Sequence, residues 1–148
     1  MKDLRFSIPF IALNTLLPLF LGAITYLLLG SKNLIFFKIA DFDILIQIAD
    51  RVNQIKIIDN KIVRLTLSYL PDALWAYSFT SSLIFAWSVE FLKKPFYLII
   101  PIVTGIIIET FQFKNIIAGT FDYFDILIYI LFTFLSYYYI SKPCYEKI

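Results

Sequence analysis

An acidic residue interrupts a long apolar run in the C-terminal half of the chain. Glu109 lies within residues 95–113, a stretch that contains no other charged residue. Placing an ionisable side chain inside a bilayer costs roughly 2.5–3.5 kcal/mol on insertion scales unless water or a partner reaches it. Membrane proteins that keep such a residue usually use it, so we expect Glu109 to bind a ligand or a partner.

Further polar residues follow at helical spacing on both sides of the next short loop. Gln112 lies three positions after Glu109, and Asp125 lies three positions after Asp122. Residues three apart lie on the same side of a helix, and helices joined by a short loop pack as neighbours. We therefore expect the two pairs to face each other, and we expect Thr120 to cap the last helix.

A group of carboxylates at the edge of a bilayer exists in one of three states. One carboxyl keeps its proton, a cation neutralises the group, or water reaches it. We expect the functional contacts chiefly from Glu109 and Asp125, because Asp72 and Asp122 also suit the positive end of a helix dipole. The predicted ligand-binding set is Asp72, Glu109, Gln112, Thr120, Asp122 and Asp125.

The composition indicates an integral membrane protein. Of 148 residues, 60% are hydrophobic and 16% are charged, and the mean hydropathy is +0.81. Soluble domains carry about 25% charged residues and cannot cover so large an apolar fraction. The net charge of +2 gives no reason to expect a nucleic-acid partner. Since His is absent and Cys144 is the single cysteine, we expect no metal and no cofactor.

Four apolar segments are long enough to cross a bilayer as helices. They cover about residues 7–29, 71–90, 95–113 and 122–141. We predict an all-α membrane protein with four transmembrane helices in one domain, residues 1–148. Pro71 is expected to open the second span, and Pro18 and Pro101 are expected to bend the first and the third.

Residues 31–69 form the long first loop between the predicted spans. Polar residues recur on one stripe between residues 43 and 55, which predicts an amphipathic helix at the membrane interface. Residues 57–67 suit either a short hairpin or a second helix, because a turn signal at Asp59 and Asn60 is flanked by Ile and Val.

The basic residues favour cytoplasmic termini. Lys2, Arg5, Lys93 and Lys94 adjoin the spans on the side of the termini, whereas the long loop mixes both signs of charge. The positive-inside rule then favours a multi-pass membrane protein with both termini in the cytoplasm. The acidic residues would face away from the cytoplasm.

The motifs of the C-terminal half resemble those of the VanZ-like family of small bacterial membrane proteins. The pattern is Glu109-x-x-Gln112, followed by Gly119-Thr-Phe-Asp122-x-x-Asp125 at the start of the last span. Residues 69–75, at the start of the second span, are similar to relatives of that group. The resemblance implies a cell-envelope protein linked to glycopeptide-antibiotic tolerance, and it implies no particular reaction.

Several functions are compatible with these residues. The first is a VanZ-like envelope protein that binds a polar or cationic ligand, such as a lipid-linked headgroup, at its acidic face. The second is a structural or assembly subunit of a larger membrane protein complex, with Glu109 paired to a cation of another chain.

A hydrolase or transferase using carboxylates as acid and base lacks a nucleophile motif, so we expect binding rather than catalysis. An ion channel would need several copies of so short a chain. The expected partners are the lipid bilayer and another membrane protein or a lipid-linked envelope molecule.

Overall fold

The computed structural model of the chain describes residues 6–29, 61–117 and 120–145, which form four helices and no strand. α1 joins an α-helical turn, Ile8–Ile11, a π-helical turn, Ala12–Leu16, and an α-helix, Leu17–Leu29. α2 covers Lys61–Lys93 and α3 covers Ile99–Phe113 after a 3₁₀ turn at Pro95–Leu98. α4 covers Tyr123–Tyr145. The all-α class is thus confirmed for the described residues, and the predicted interfacial helix at residues 43–55 lies outside them.

Within the described residues, three segments are long and apolar enough to cross a membrane. They cover Ile8–Tyr26 in α1, Phe96–Phe113 with α3 and Tyr123–Lys142 in α4, with mean hydropathies of 1.8, 1.8 and 1.5. At most 28% of each segment is buried inside the bundle, so most of their apolar surface faces outward. Helices that are apolar on their outer surface are stable in lipid and not in water. The described fold therefore supports a membrane protein.

α2 is the central helix of the bundle. It packs along α1 and α4 and, over a shorter stretch, against α3. Its buried residues include Ala73, Ala76 and Ile84, and the two alanines let neighbouring helices approach closely. Because the other helices cover several sides of α2, this helix can carry polar side chains that a lipid-facing helix could not.

α2 begins earlier than the sequence predicted. Its 33 residues start at Lys61, so the end of the predicted long loop is helical and the hairpin alternative is wrong for residues 61–67. Pro71 consequently lies inside the helix and does not open it. A proline inside a helix costs about 3 kcal/mol, and packing against neighbouring helices outweighs this cost. Gly22 of α1 lies against this point, since an added Cβ would be 3.3 Å from the Pro71 carbonyl oxygen.

A π-helical turn accommodates Pro18 in α1. A proline lacks the backbone N–H, and its ring collides with the carbonyl four residues earlier, here that of Asn14. The wider turn of Ala12–Leu16 gives this carbonyl room. The Ser78 hydroxyl of α2 donates to the Thr15 carbonyl at 2.7 Å. A side chain of the neighbouring helix thus satisfies a backbone group in the disturbed segment.

α3 has distinct signals at both ends. Pro101 lies in the first turn of the helix, where a proline removes no hydrogen bond within the α-helix, and the bend expected there stays a prediction. At the C-terminal end Asn115 adopts a φ of 55°. The N–H of Ile116 donates to the Phe111 carbonyl and that of Asn115 to the Gln112 carbonyl, both at 2.9 Å. This Schellman motif ends α3 and turns the chain towards α4.

Buried hydroxyl groups join α2 to α4. Ser81 and Ser136 are fully buried, and their hydroxyl oxygens are 2.9 Å apart. Thr80 donates to the hydroxyl of Thr133 at 3.4 Å, one helical turn from the serine pair on α4. Such pairs stabilise helix association where no water competes for the hydroxyl groups. They fix the register of α2 and α4 and therefore the position of the polar residues above them.

Candidate functional site

The predicted acidic residues meet at one end of the bundle. Glu109 of α3 is 1% exposed, and its Oε2 accepts the backbone N–H of Asp122 at 3.1 Å. Asp72 of α2 accepts the hydroxyl of Tyr129 on α4 at 2.9 Å. Asp125 lies close enough to Asp72, Glu109 and Asp122 to interact electrostatically with all of them. The helical spacing therefore predicted correctly that these side chains converge.

Asp122 caps α4 and ties it to α2. Its Oδ1 accepts the N–H of Phe124 at 2.9 Å, and its Oδ2 accepts the hydroxyl of Tyr69 at 2.9 Å. The first contact satisfies an N–H group that the helix itself leaves free. The second raises the pKa of the Tyr69 phenol above 10.0, because a deprotonated phenol oxygen would face a carboxylate. The prediction that Thr120 caps this helix is wrong, since α4 begins at Tyr123 and Thr120 is exposed.

Glu109 supports the same helix end from the side of α3. Its carboxylate accepts the Asp122 N–H just before α4 begins. A carboxylate at this place is also attracted to the positive end of the α4 dipole. Glu109 therefore holds α3 and α4 together, and this contact accounts for one oxygen of a buried carboxylate.

A cleft of about 420 Å³ lies beside this acidic group, between the four helices. Its polar wall is formed by Tyr26, Asp72, Gln112 and Tyr129. Its remaining wall is formed by Leu19, Gly22, Ala23, Pro71, Trp75, Ile108 and Ile117. Small-molecule sites have volumes of about 300–1,000 Å³ and combine a mostly apolar wall with a few polar groups, as this cleft does.

The cleft separates the predicted site residues into two groups. Asp72 and Gln112 line it, whereas Glu109, Asp122 and Asp125 lie outside its wall. The Oδ1 atom of Asp125 is buried and receives no hydrogen bond from the described part of the chain. A ligand in the cleft would therefore contact one carboxylate, that of Asp72, and the other three carboxylates lie behind the cleft wall.

Tyr129 is a central site residue that the sequence did not reveal. It is 2% exposed, and its hydroxyl fixes Oδ1 of Asp72. Its ring packs edge-on against Trp75, with 5.8 Å between the ring centroids. The spacing contained one usable signal, because Tyr129 follows Asp125 by four positions and shares its helix face.

Gly105 makes room for the ring of Tyr129. A Cβ atom added to Gly105 would lie 2.3 Å from a carbon of that ring, which is closer than real Cβ contacts come. The glycine thus lets α3 approach α4 at the level of the cleft. It precedes Glu109 by four positions, so both residues lie on the face of α3 that packs on α4.

The arrangement suits binding of a cation or storage of a proton better than catalysis at a metal. Carboxylates and phenols supply acceptors and donors, and the residues that line the cleft include no Lys or Arg. Among the described residues, no group of three or more Cys, Asp or Glu side chains is placed to hold a metal ion. The tyrosine hydroxyls donate hydrogen bonds that hold the carboxylates in place. The carboxylates then act on a ligand chiefly through their negative charge.

Comparison with protein-family models, characterised proteins and solved structures gives no match to this chain. The VanZ-like resemblance therefore rests on the motifs of the C-terminal half. The function has to be argued from the geometry of the cleft.

Proposed function

We propose that this chain is a four-span membrane protein of the bacterial cell envelope that binds a polar or cationic ligand, such as a lipid headgroup. The observation that carries the proposal is the cleft of about 420 Å³ with Asp72 on its wall. Its volume and mixed lining are those of a small-molecule site. A carboxylate in such a wall selects for positive or hydrogen-bond-donating groups.

The electrostatics around the cleft favour a positively charged group. Asp72 lines the cleft, and Glu109 and Asp125 lie within interaction range of it. Fields of like sign add, and they act more strongly where water is partly excluded. An anionic ligand would face this field without a cation in the cleft wall to offset it.

The four-span arrangement is supported by the position of α2. This helix packs against the three helices that contain the apolar segments, so its polar residues have protein rather than lipid around them. The ends of those segments at Tyr26, Phe113 and Tyr123 lie at the cleft end of the bundle. The cleft would then lie at the boundary of the bilayer, where lipid headgroups are found.

The envelope role draws on the resemblance to the VanZ-like family. Glu109, Gln112, Asp122 and Asp125 carry the matching motif. The family implies a link with tolerance of glycopeptide antibiotics, and we extend that expectation to this chain. With both termini in the cytoplasm, the cleft would open to the outer side of the inner membrane.

Ligand binding is tested by native mass spectrometry of the protein released from lipid nanodiscs. We expect wild type to retain a small molecule or lipid at near one-to-one ratio and Asp72→Asn to lose it. Ser82→Ala is the matched control, because the Ser82 hydroxyl bonds to the Ser78 carbonyl of its own helix and does not line the cleft. Equal retention by both variants would contradict the proposal. A stoichiometric protein partner with no bound small molecule would instead support an assembly subunit.

Orientation is tested by labelling single cysteines in intact cells. Cys144 is the only cysteine, so Cys144→Ser gives a background for adding Lys114→Cys in the exposed turn after α3. We expect a membrane-impermeant maleimide to label Lys114→Cys without cell lysis. Labelling only after lysis would place the cleft on the cytoplasmic side.

A further inference from the structure

We infer that the ligand of the cleft is a bilayer amphiphile with an ammonium group, which binds Asp72 while its chain leaves between α1 and α3. This inference rests on the proposed function and adds the class of ligand and its route. It follows from where the cleft opens, how deep it lies and which groups line it.

The cleft opens towards the lipid between α1 and α3. Both helices line it, through Leu19 and Ala23 on α1 and Ile108 on α3, although they hardly touch each other. Leu19 is 44% exposed and Ala23 is exposed as well. Apolar residues of the cleft wall therefore reach the outer surface of the bundle, where an acyl or alkyl chain can pack on them.

The depth of the cleft matches the region of lipid headgroups and upper chains. Its wall on α1 extends from Leu19 to Tyr26, which is the last residue of the first apolar segment. Seven residues of helix span about 10 Å, so the cleft occupies about the outer 10 Å of that segment. An amphiphile with its charge at Asp72 would place its chain at the level of the neighbouring lipid chains.

The polar groups of the cleft suit an ammonium group. Tyr129 donates to Oδ1 of Asp72, and a backbone hydrogen bond also reaches this carboxylate, whose two oxygens together have about four acceptor positions. The second oxygen therefore still has room for a donor. That oxygen is an acceptor for the N–H groups of a ligand, and the charge-assisted bond is stronger than a neutral one. The rings of Tyr26, Trp75 and Tyr129 in the wall add an environment that attracts cations.

The tryptophans of the chain provide a local probe. The protein has two, and Trp75 lines the cleft whereas Trp87 does not. Trp87→Phe therefore leaves one fluorophore at the site. In phosphatidylglycerol nanodiscs, whose lipid has no ammonium group, a primary alkylamine brominated on its chain is titrated against this variant, with the brominated alcohol and carboxylate of equal chain length as parallel probes.

We expect the amine to quench Trp75 saturably and the other two probes to quench it only in proportion to their concentration. Asp72→Asn should weaken amine binding at least tenfold. Ser82→Ala is the control, because its hydroxyl bonds to the Ser78 carbonyl of its own helix and does not line the cleft, and we expect a change of less than threefold. Ala23→Leu narrows the opening from an exposed position, where folding is least disturbed, and should also weaken binding.

Three results would overturn the inference. Equal saturable quenching by the amine and the alcohol, with no effect of Asp72→Asn, would show that the ligand needs no ammonium group. The proposed function of the cleft would not be contradicted by that result. Displacement of the long-chain amine by equimolar butylamine would show that the chain contributes nothing and that the ligand comes from water. Absence of saturable quenching by any probe would refute the inference that the ligand is an amphiphile. The proposed function is tested separately, by whether mass spectrometry detects a bound molecule.

Discussion

Replacing Gly105 by Ala should displace the ring of Tyr129 and destabilise the bundle. The new Cβ would lie 2.3, 2.7 and 2.9 Å from three ring carbons, whereas ordinary contact begins at 3.4 Å. The ring therefore has to retreat by about 1 Å, since a close-packed interior offers no spare volume. Its hydroxyl is 2.9 Å from Oδ1 of Asp72, so a shift of that size breaks the hydrogen bond.

The expected loss of stability is about 1–3 kcal/mol. Overpacking of a filled interior costs about 1–3 kcal/mol, and the lost hydrogen bond adds about 0.5–1.5 kcal/mol. Opposing these costs, Ala favours a helix over Gly by roughly 0.5–1 kcal/mol. The steric cost dominates because the contact is with a ring that Trp75 holds from the other side.

The assay is the free energy of unfolding in mixed micelles, measured by titration with a denaturing detergent. A double-mutant cycle assigns the cause, because Tyr129→Ala removes the ring that the new methyl group meets. On that background Gly105→Ala should be neutral or should stabilise by up to about 1 kcal/mol. The coupling between the two positions should therefore be at least about 1 kcal/mol.

Gly22→Ala is the control for a general effect of adding a methyl group between helices. At Gly22 the nearest atoms, the Cβ of Leu74 and the Pro71 carbonyl oxygen, would be 3.3 Å from the new Cβ. A small adjustment suffices there, so we expect a change within about 1 kcal/mol. The reasoning is refuted if Gly105→Ala stabilises the protein, or if its cost is unchanged in the Tyr129→Ala background.

Other substitutions test the contacts that support the site, each by the same unfolding measurement. Glu109→Ala should cost about 1–3 kcal/mol because the N–H of Asp122 loses its acceptor, while Glu109→Gln keeps an oxygen there and should cost less; equal losses would contradict this role. Tyr69→Phe should cost about 0.5–1.5 kcal/mol and leave ligand binding intact, because Asp122 and not the cleft loses a contact. Ser81→Ala should cost about 0.6 kcal/mol, and a double-mutant cycle with Ser136→Ala should show coupling; strict additivity would mean that the two hydroxyls do not pair.

The helices were largely predictable because their lengths and apolar runs carry a strong signal. The first, third and fourth apolar segments fall where three helices are long and apolar enough to span a membrane. The start of α2 was not predictable from local rules, since Pro71 followed by Asp72 is a typical helix start. In the structure the helix nevertheless runs through Pro71 without a break, and Tyr69 ties its first part to α4 through Asp122. Local residue preferences are weak compared with such tertiary contacts.

The acidic residues of the site were predictable and its cleft was not. The three-residue spacing of Glu109 with Gln112 and of Asp122 with Asp125 fixes which side chains share a helix face. It does not fix where neighbouring helices leave space. Tyr129 was missed for a related reason, because it is one of ten tyrosines and only its four-residue spacing from Asp125 separates it from those at the membrane interface.

The length of α2 leaves Asp72 without a helix dipole to balance its charge. At a helix start its charge would be explained by the dipole, but α2 begins at Lys61 and the dipole effect fades within the first turn. Glu109 and Asp122 each accept a backbone N–H, and Asp72 accepts the hydroxyl of Tyr129 together with a backbone hydrogen bond. A hydrogen bond to a charged group contributes about 1.5–3 kcal/mol, less than the several kcal/mol that desolvating a carboxylate costs. A proton, water or a ligand in the cleft can supply the difference, and among ligands an ammonium group offers both opposite charge and N–H donors.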